Sequence, residues 1–274
     1  MYYKHNLDYE YPERSDEHML KVNYKKKISF DENYKYLDKS LGAKLKRAGF
    51  WCCMNFLVFP VNRIRYGLKI HGKKNIRKNK KLLKNGAITI SNHVFKWDFI
   101  CVLMAIRPHL LRFPAWKDNF EGDQGGLVKW AGGIPIPTES IDGMKKFKSA
   151  MDEVLSSKKW MHFFPEGSMW YFYPDIRPLK KMVFKYAYKF DKPIVPISMS
   201  FRPRKGIFKL FGKSPCVDLH IGEPIVPDKE IPAYLAIDNM HKEAYHVMQV
   251  MNGITPDMEN YRTEQDISTY QKTM

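Results

Sequence analysis

One stretch of eight residues holds the most pointed chemistry in the chain: Ser91-Asn92-His93-Val94-Phe95-Lys96-Trp97-Asp98. An imidazole followed five positions later by a carboxylate supplies a general base and a group to orient it. A carboxylate on Nδ1 fixes the tautomer and steadies the imidazolium that forms when Nε2 takes a proton. On one continuous helix, residues five apart lie well off a common face and would not meet. The pair therefore requires a strand that ends at His93 and a helix with Asp98 in its first turn. The macrodipole favours a carboxylate there. The bare spacing is a weak signal in a chain with nine histidines, and a structural histidine is the ordinary alternative.

Three further stretches stand beside it. Phe163-Phe164-Pro165-Glu166-Gly167-Ser168 places a carboxylate and a glycine directly after an apolar run, which suits a strand-end turn that holds a polar substrate. Gly132-Gly133-Ile134-Pro135-Ile136-Pro137 and Lys192-Pro193-Ile194-Val195-Pro196-Ile197 read as short strands bordered by prolines, and singly each is more often structural. No Gly-x-Ser-x-Gly elbow accompanies Ser91, so a covalent serine route is not indicated. His71, His109, His162 and His220 show no metal-ligand spacing, so no metal is expected.

The elements that must position these residues follow from periodicity. Tyr66–His71, Ala87–Ser91, Leu111–Ala115, Gly133–Ile136, Trp160–Phe164, Ile194–Met199 and Val217–Ile221 read as strands. Helical patterns fall at Trp97–Ile106, Gly126–Ala131, 139–157, Val183–Phe190 and Leu235–Asn252. This alternation implies an α/β fold, a mixed and largely parallel sheet flanked by helices. The expected division is an N-terminal arm and amphipathic membrane-associating segment, 1–65, and an α/β domain, 66–274. Residues 1–40 read as a poorly packed arm or an extra surface layer.

The net charge is 46 − 29 = +17, an excess that seeks anionic partners. Between Leu41 and Lys84 there are thirteen Lys/Arg and no Asp or Glu. Inside that run lies Gly49-Phe50-Trp51-Cys52-Cys53-Met54-Asn55-Phe56-Leu57-Val58-Phe59-Pro60, too short to span a bilayer, which takes about 20 apolar residues. An interfacial helix over Leu41–Val61, stopped by Pro60, would set Lys44, Lys46 and Arg47 at headgroups and turn Phe50, Trp51 and Phe56 inward. A buried core helix is the alternative. Cys52, Cys53, Cys101 and Cys216 form no paired framework, which reads as reduced thiols and a cytoplasmic face. A nucleic-acid-binding role with Lys73–Lys84 as footprint lacks any recognisable binding motif and is set aside.

Taken in order, the four blocks resemble those of the glycerolipid acyltransferase family, whose best-known members are 1-acylglycerol-3-phosphate O-acyltransferases. The resemblance runs from about Tyr66 to Glu223. It implies an α/β domain with a membrane-associating helical element, and an acyl-CoA or acyl-carrier-protein donor as co-substrate without a cofactor. It also implies a lipid acceptor and an anionic membrane surface as partners. By position, His93 is the implied base and Asp98 its partner. Glu166, Gly167 and Ser168 fall at the acceptor site, and Pro193, Ile194 and Pro196 border the acyl-donor site.

Two departures concern the acceptor. The family's second block commonly ends in a phosphate-contacting Arg, and Thr138 stands there; its third block often reads Glu-Gly-Thr-Arg, and Met169 stands at the last position. An arginine fork is not replaced by Thr or Met. Either Arg177, Lys180 and Lys181 hold a phosphate instead, or the acceptor is an uncharged or sugar-bearing alcohol. A lipid-binding relative without turnover is the remaining alternative.

Overall fold

The computed structural model describes residues 3–14, 17–19 and 27–255. Seven strands form one sheet in the order β1-β7-β6-β2-β5-β3-β4. They are β1 (Lys69–His71), β2 (Ile88–Ser91), β3 (Leu111–Trp116), β4 (Gly133–Ile136), β5 (Trp160–Phe163), β6 (Ile194–Arg202) and β7 (Cys216–Ile221). All pairings are parallel except β6 with β7, so the sheet is mixed and largely parallel, as the strand–helix alternation predicts. Only β6 and β7 are joined without a crossover helix long enough to return the chain, which is why that pair runs antiparallel.

β2 lies at the centre, buried along its length, because a parallel sheet covered on both faces demands apolar residues on both. Ile88 and Ile90 face a core built with α7 (Ile141–Ser156), α8 (Met182–Phe190) and α9 (Ala233–Met251). The opposite core includes α4 (Asp98–Ala105), every residue of which is buried, together with Met54, Phe59 and the inward side of β6 and β7. Ser140 caps α7, its hydroxyl accepting from Gly143 N–H at 2.9 Å.

The N-terminal helical segment departs from expectation in two ways. It does not stop at Pro60: α1 (Leu41–Cys53) passes through a π-helical turn, Met54–Val58, into α2 (Phe59–Arg65). Phe59 N–H reaches back to Met54 O, and the missing N–H of Pro60 falls where the register widens and at the start of a new helix. Nor does Trp51 share a bilayer-facing side with Phe56. It is buried against Phe59, while Phe56 is 81% exposed. Among the described residues no helix is long and apolar enough to cross a membrane.

The described part of residues 1–40 forms a layer on the α/β core. Tyr9 stacks on Tyr171 and Tyr11 on Trp170, with centroids 5.8 and 5.5 Å apart. Tyr36 is buried and its hydroxyl donates to Phe30 O at 2.8 Å. Large apolar ring faces and satisfied backbone groups hold this segment, with no regular element before α1 among the described residues.

Candidate active site

β2 ends at Ser91, and the six residues before α4 carry the chemistry. Asn92 clips this turn to β6: its amide donates to Met199 O at 2.9 Å and its carbonyl oxygen accepts from Met199 N–H at 2.8 Å. The side chain thereby takes the place of a ladder partner where the strand stops, and the site sits beyond the carboxyl end of the central strand.

His93 Nδ1 lies 2.6 Å from Asp98 Oδ2, and the same oxygen accepts from Val94 N–H at 2.9 Å and Phe95 N–H at 3.3 Å. Asp98 opens α4 and is fully buried, so the chain folds back as the five-residue spacing requires. A carboxylate accepting from two backbone N–H groups leaves the third interaction to an imidazole N–H, which puts the proton on Nδ1 and the lone pair on Nε2. Nε2 has no partner among the described residues, and the side chain keeps 24% of its surface open. The ring lies flat on Phe164, centroids 3.9 Å apart. This arrangement can take a proton from a hydroxyl brought to Nε2.

The third block forms a strut behind the base. Glu166 Oε2 accepts from His93 N–H and from Arg177 Nη2, each at 2.9 Å, and Oε1 accepts from Arg177 N–H at 2.8 Å. Arg177 Nη1 also donates to the Ser168 hydroxyl at 2.9 Å, and its guanidinium packs over Trp170 at 4.4 Å. Glu166, Ser168 and Arg177 are all buried. Gly167, at φ +85°, makes the turn that lets Phe164 O accept from Gly167 N–H at 3.0 Å. Lys180 is exposed, and its ammonium lies over Gly167, 3.0 Å from where a Cβ would stand.

The sequence-based site residues are thus divided. His93, Asp98, Glu166, Gly167, Ser168, Arg177 and Lys180 come together. Thr138 is exposed on the far side of β5 and β3, just past edge strand β4. Pro193 and Ile194 lie buried where β6 begins, at the opposite end of the sheet from His93, and Pro196 pairs with Ile90. The strand reaches the level of the site only at Ile197–Met199, so these three residues do not border the reacting atoms. Arg177 spends its guanidinium on Glu166 and Ser168 and is not presented to solvent.

Several neighbours went unseen in the sequence. Phe164, the platform for His93, stands inside the third block, but only the fold puts its ring under the imidazole. Trp170 N–H donates to His93 O at 3.0 Å and Phe172 N–H to Val94 O at 2.6 Å, strapping the loop down. Phe172 holds a left-handed backbone (φ 50°), strained for an aromatic residue, in making that contact. His162, on β5, is buried beside the base with Nδ1 2.9 Å from the Thr89 hydroxyl. Burial first, and the proximity of His93 second, push its pKa down to about 3. Among the described residues no group of three or more His, Cys, Asp or Glu is placed to hold a metal ion.

Residues 67–200 match the protein-family model described as Acyltransferase, a span that takes in all four blocks. No curated protein matches the chain. One similar solved structure is the crystal structure of the 1-acyl-sn-glycerophosphate (LPA) acyltransferase PlsC from Thermotoga maritima. It shares 17% identity and a TM-score of 0.47 over 69% of this chain and 74% of that one.

Proposed function

Residues 67–200 form an acyltransferase-family domain, and on that premise we propose that the chain acylates a lipid hydroxyl at a membrane surface with His93 as base. The donor is an acyl thioester, acyl-CoA or acyl-carrier protein, and the acceptor a lysophospholipid or a related alcohol. Nε2 removes the hydroxyl proton as the oxygen attacks the thioester carbonyl. The tetrahedral intermediate collapses, the C–S bond breaks, and the thiolate takes the proton back from the imidazolium. A positioned base contributes roughly a hundred- to ten-thousand-fold.

The observation that carries this reading is the 2.6 Å contact of His93 Nδ1 with Asp98, with Nε2 left open. The donor is already activated, so the protein needs a base and a place for the acceptor rather than a nucleophile of its own. Glu166 supports the reading from behind, by holding His93 through its backbone rather than by meeting the acceptor.

With Arg177 engaged, Lys180 is the cation we assign to an acceptor phosphate. Thr138 and Met169 at the positions of the family's arginines favour a second reading, in which the acceptor carries no phosphate. Lys180→Gln distinguishes them. It raises KM for a phosphate-bearing acceptor with kcat little changed under the first reading, and moves neither constant under the second.

The membrane reading rests on charge and exposed apolar surface. Leu41, Leu45, Phe56, Leu57, Val61 and Ile64 are exposed on α1, the π turn and α2, within the thirteen-cation run that lacks any carboxylate. We assign peripheral attachment at the cytoplasmic face. The test is acceptor-dependent thiol release from a long-chain acyl-CoA on anionic liposomes, across phosphate-bearing and sugar-bearing acceptors. If no acceptor elicits release from either donor class, acyl-carrier protein included, a lipid-binding relative without turnover is left.

A further inference from the structure

The connection between β6 and β7 has a composition no buried turn needs. Residues 202–215 include five Lys/Arg and no Asp or Glu. A 3-10 turn, Gly206–Phe211, holds Ile207 66% exposed and Leu210 82% exposed, with Phe211 exposed beside them. Three large apolar side chains on one short turn, ringed by cations, are costly in water and are not explained by hairpin closure.

The turn is held in place. Arg204 donates to the carbonyls of Ser214, Phe208 (2.9 Å) and Arg65 (2.9 Å), the last of these at the end of α2. The Phe208 ring packs against Gly67, just past α2. The helix α2, on which Val61 and Ile64 are exposed, therefore packs beside the turn. Between the turn and the N-terminal layer lies a cavity of about 260 Å³, whose lining includes Arg204, Lys209 and Lys213 and no carboxylate. Among the described residues neither Lys209 nor Lys213 is paired with an acid.

We propose that the β6–β7 turn is a second membrane-inserting element, in which Ile207, Leu210 and Phe211 enter an anionic bilayer while Lys209 and Lys213 meet headgroup phosphates. The inference deepens the membrane-surface reading above and rests on it. Two separate apolar contacts, α2 and the turn, fix the tilt of the domain where one helix alone would leave it free to roll. Charge complementarity selects the occupant: a surface this basic and this apolar at once fits anionic lipid better than a protein groove.

The test uses the full chain with phosphatidylcholine vesicles, with and without phosphatidylglycerol. Ile207→Ser/Leu210→Ser is compared with the parent and with Ile141→Ser, an exposed apolar residue elsewhere on the surface. The double variant should partition onto anionic vesicles roughly tenfold or more weakly, with an unchanged melting temperature, and Ile141→Ser should match the parent. Lys209→Gln/Lys213→Gln should flatten the dependence on phosphatidylglycerol. Leu210→Trp, in the otherwise intact chain, should gain fluorescence quenching by brominated acyl chains.

If the parent binds and the double variant binds equally, the turn is not an insertion element, and α1–α2 attachment stands without it. If Leu210→Trp is not quenched on vesicles that bind the protein, the turn stays in water and the inference falls. If the parent binds no vesicle at all, the membrane reading and this inference fail together.

Discussion

The backbone N–H of His93 and the guanidinium of Arg177 share one carboxylate oxygen, Glu166 Oε2, each at 2.9 Å. The base is thereby anchored from the main chain by a buried ion pair two loops away, and its ring is free to be set by Asp98 and Phe164 alone. Glu166→Ala removes one partner of a buried pair and leaves Arg177 uncompensated. Guanidinium unfolding should show a loss of about 3–5 kcal/mol, with acyl transfer reduced in the fraction that remains folded. Full stability with lost acceptor binding would instead make Glu166 an acceptor contact.

Asn92→Ala should act on the same loop from the other side. It orphans Met199 N–H and C=O, both inside the sheet, at about 1–3 kcal/mol for each group left unsatisfied. Urea unfolding should register this, and kcat should fall with KM nearly unchanged, because His93 follows Asn92 directly. An unchanged midpoint would mean that water replaces the clip.

His162 makes a prediction about acid. Burial first, and His93 second, hold its pKa near 3 in the folded protein, against about 6.5 in an unfolded chain. Above pH 6.5 it is neutral in both states and contributes no pH dependence. As pH falls from 6.5 toward 3 the unfolded state binds the proton and the folded state does not, so stability is lost at up to about 1.4 kcal/mol per pH unit. His162→Gln should remove that slope. Denaturant midpoints measured from pH 7 to pH 4 should diverge between parent and variant; parallel curves would place the titration elsewhere.

Much of this site is legible in the residues themselves, and the reason is local. Ala87–Ser91 is β-branched and apolar, the helix from Asp98 is apolar throughout, and six residues between them leave one way for a carboxylate to return to His93. Long-range placement is another matter. Arg177 reads as one more cation in Pro174-Asp175-Ile176-Arg177-Pro178-Leu179-Lys180-Lys181, and only tertiary packing turns it inward to Glu166 while leaving Lys180 outside. Pro193 and Ile194 lie in the last of the four blocks, yet strand register carries them to the far end of the sheet. Pro60 reads as a stop because a helix interior rejects it, and the π turn before it removes that objection. The stacking of Tyr9 and Tyr11 over residues 170–171 joins positions far apart in the chain and leaves no periodic trace.

Asp98→Asn keeps an acceptor for Val94 and Phe95 N–H but withdraws the charge that steadies the imidazolium. It should lower kcat by about tenfold or more, with KM and melting temperature close to the parent's. Parent-like turnover would mean that the 2.6 Å contact orients nothing that matters.

The most direct measurement is thiol release from a long-chain acyl-CoA on anionic liposomes, parent against His93→Ala, with the melting temperature of each recorded. Acceptor-dependent release should fall by roughly a hundred- to ten-thousand-fold in the variant while its melting temperature holds. A folded His93→Ala protein that releases thiol at near the parent's rate would contradict His93 as the base.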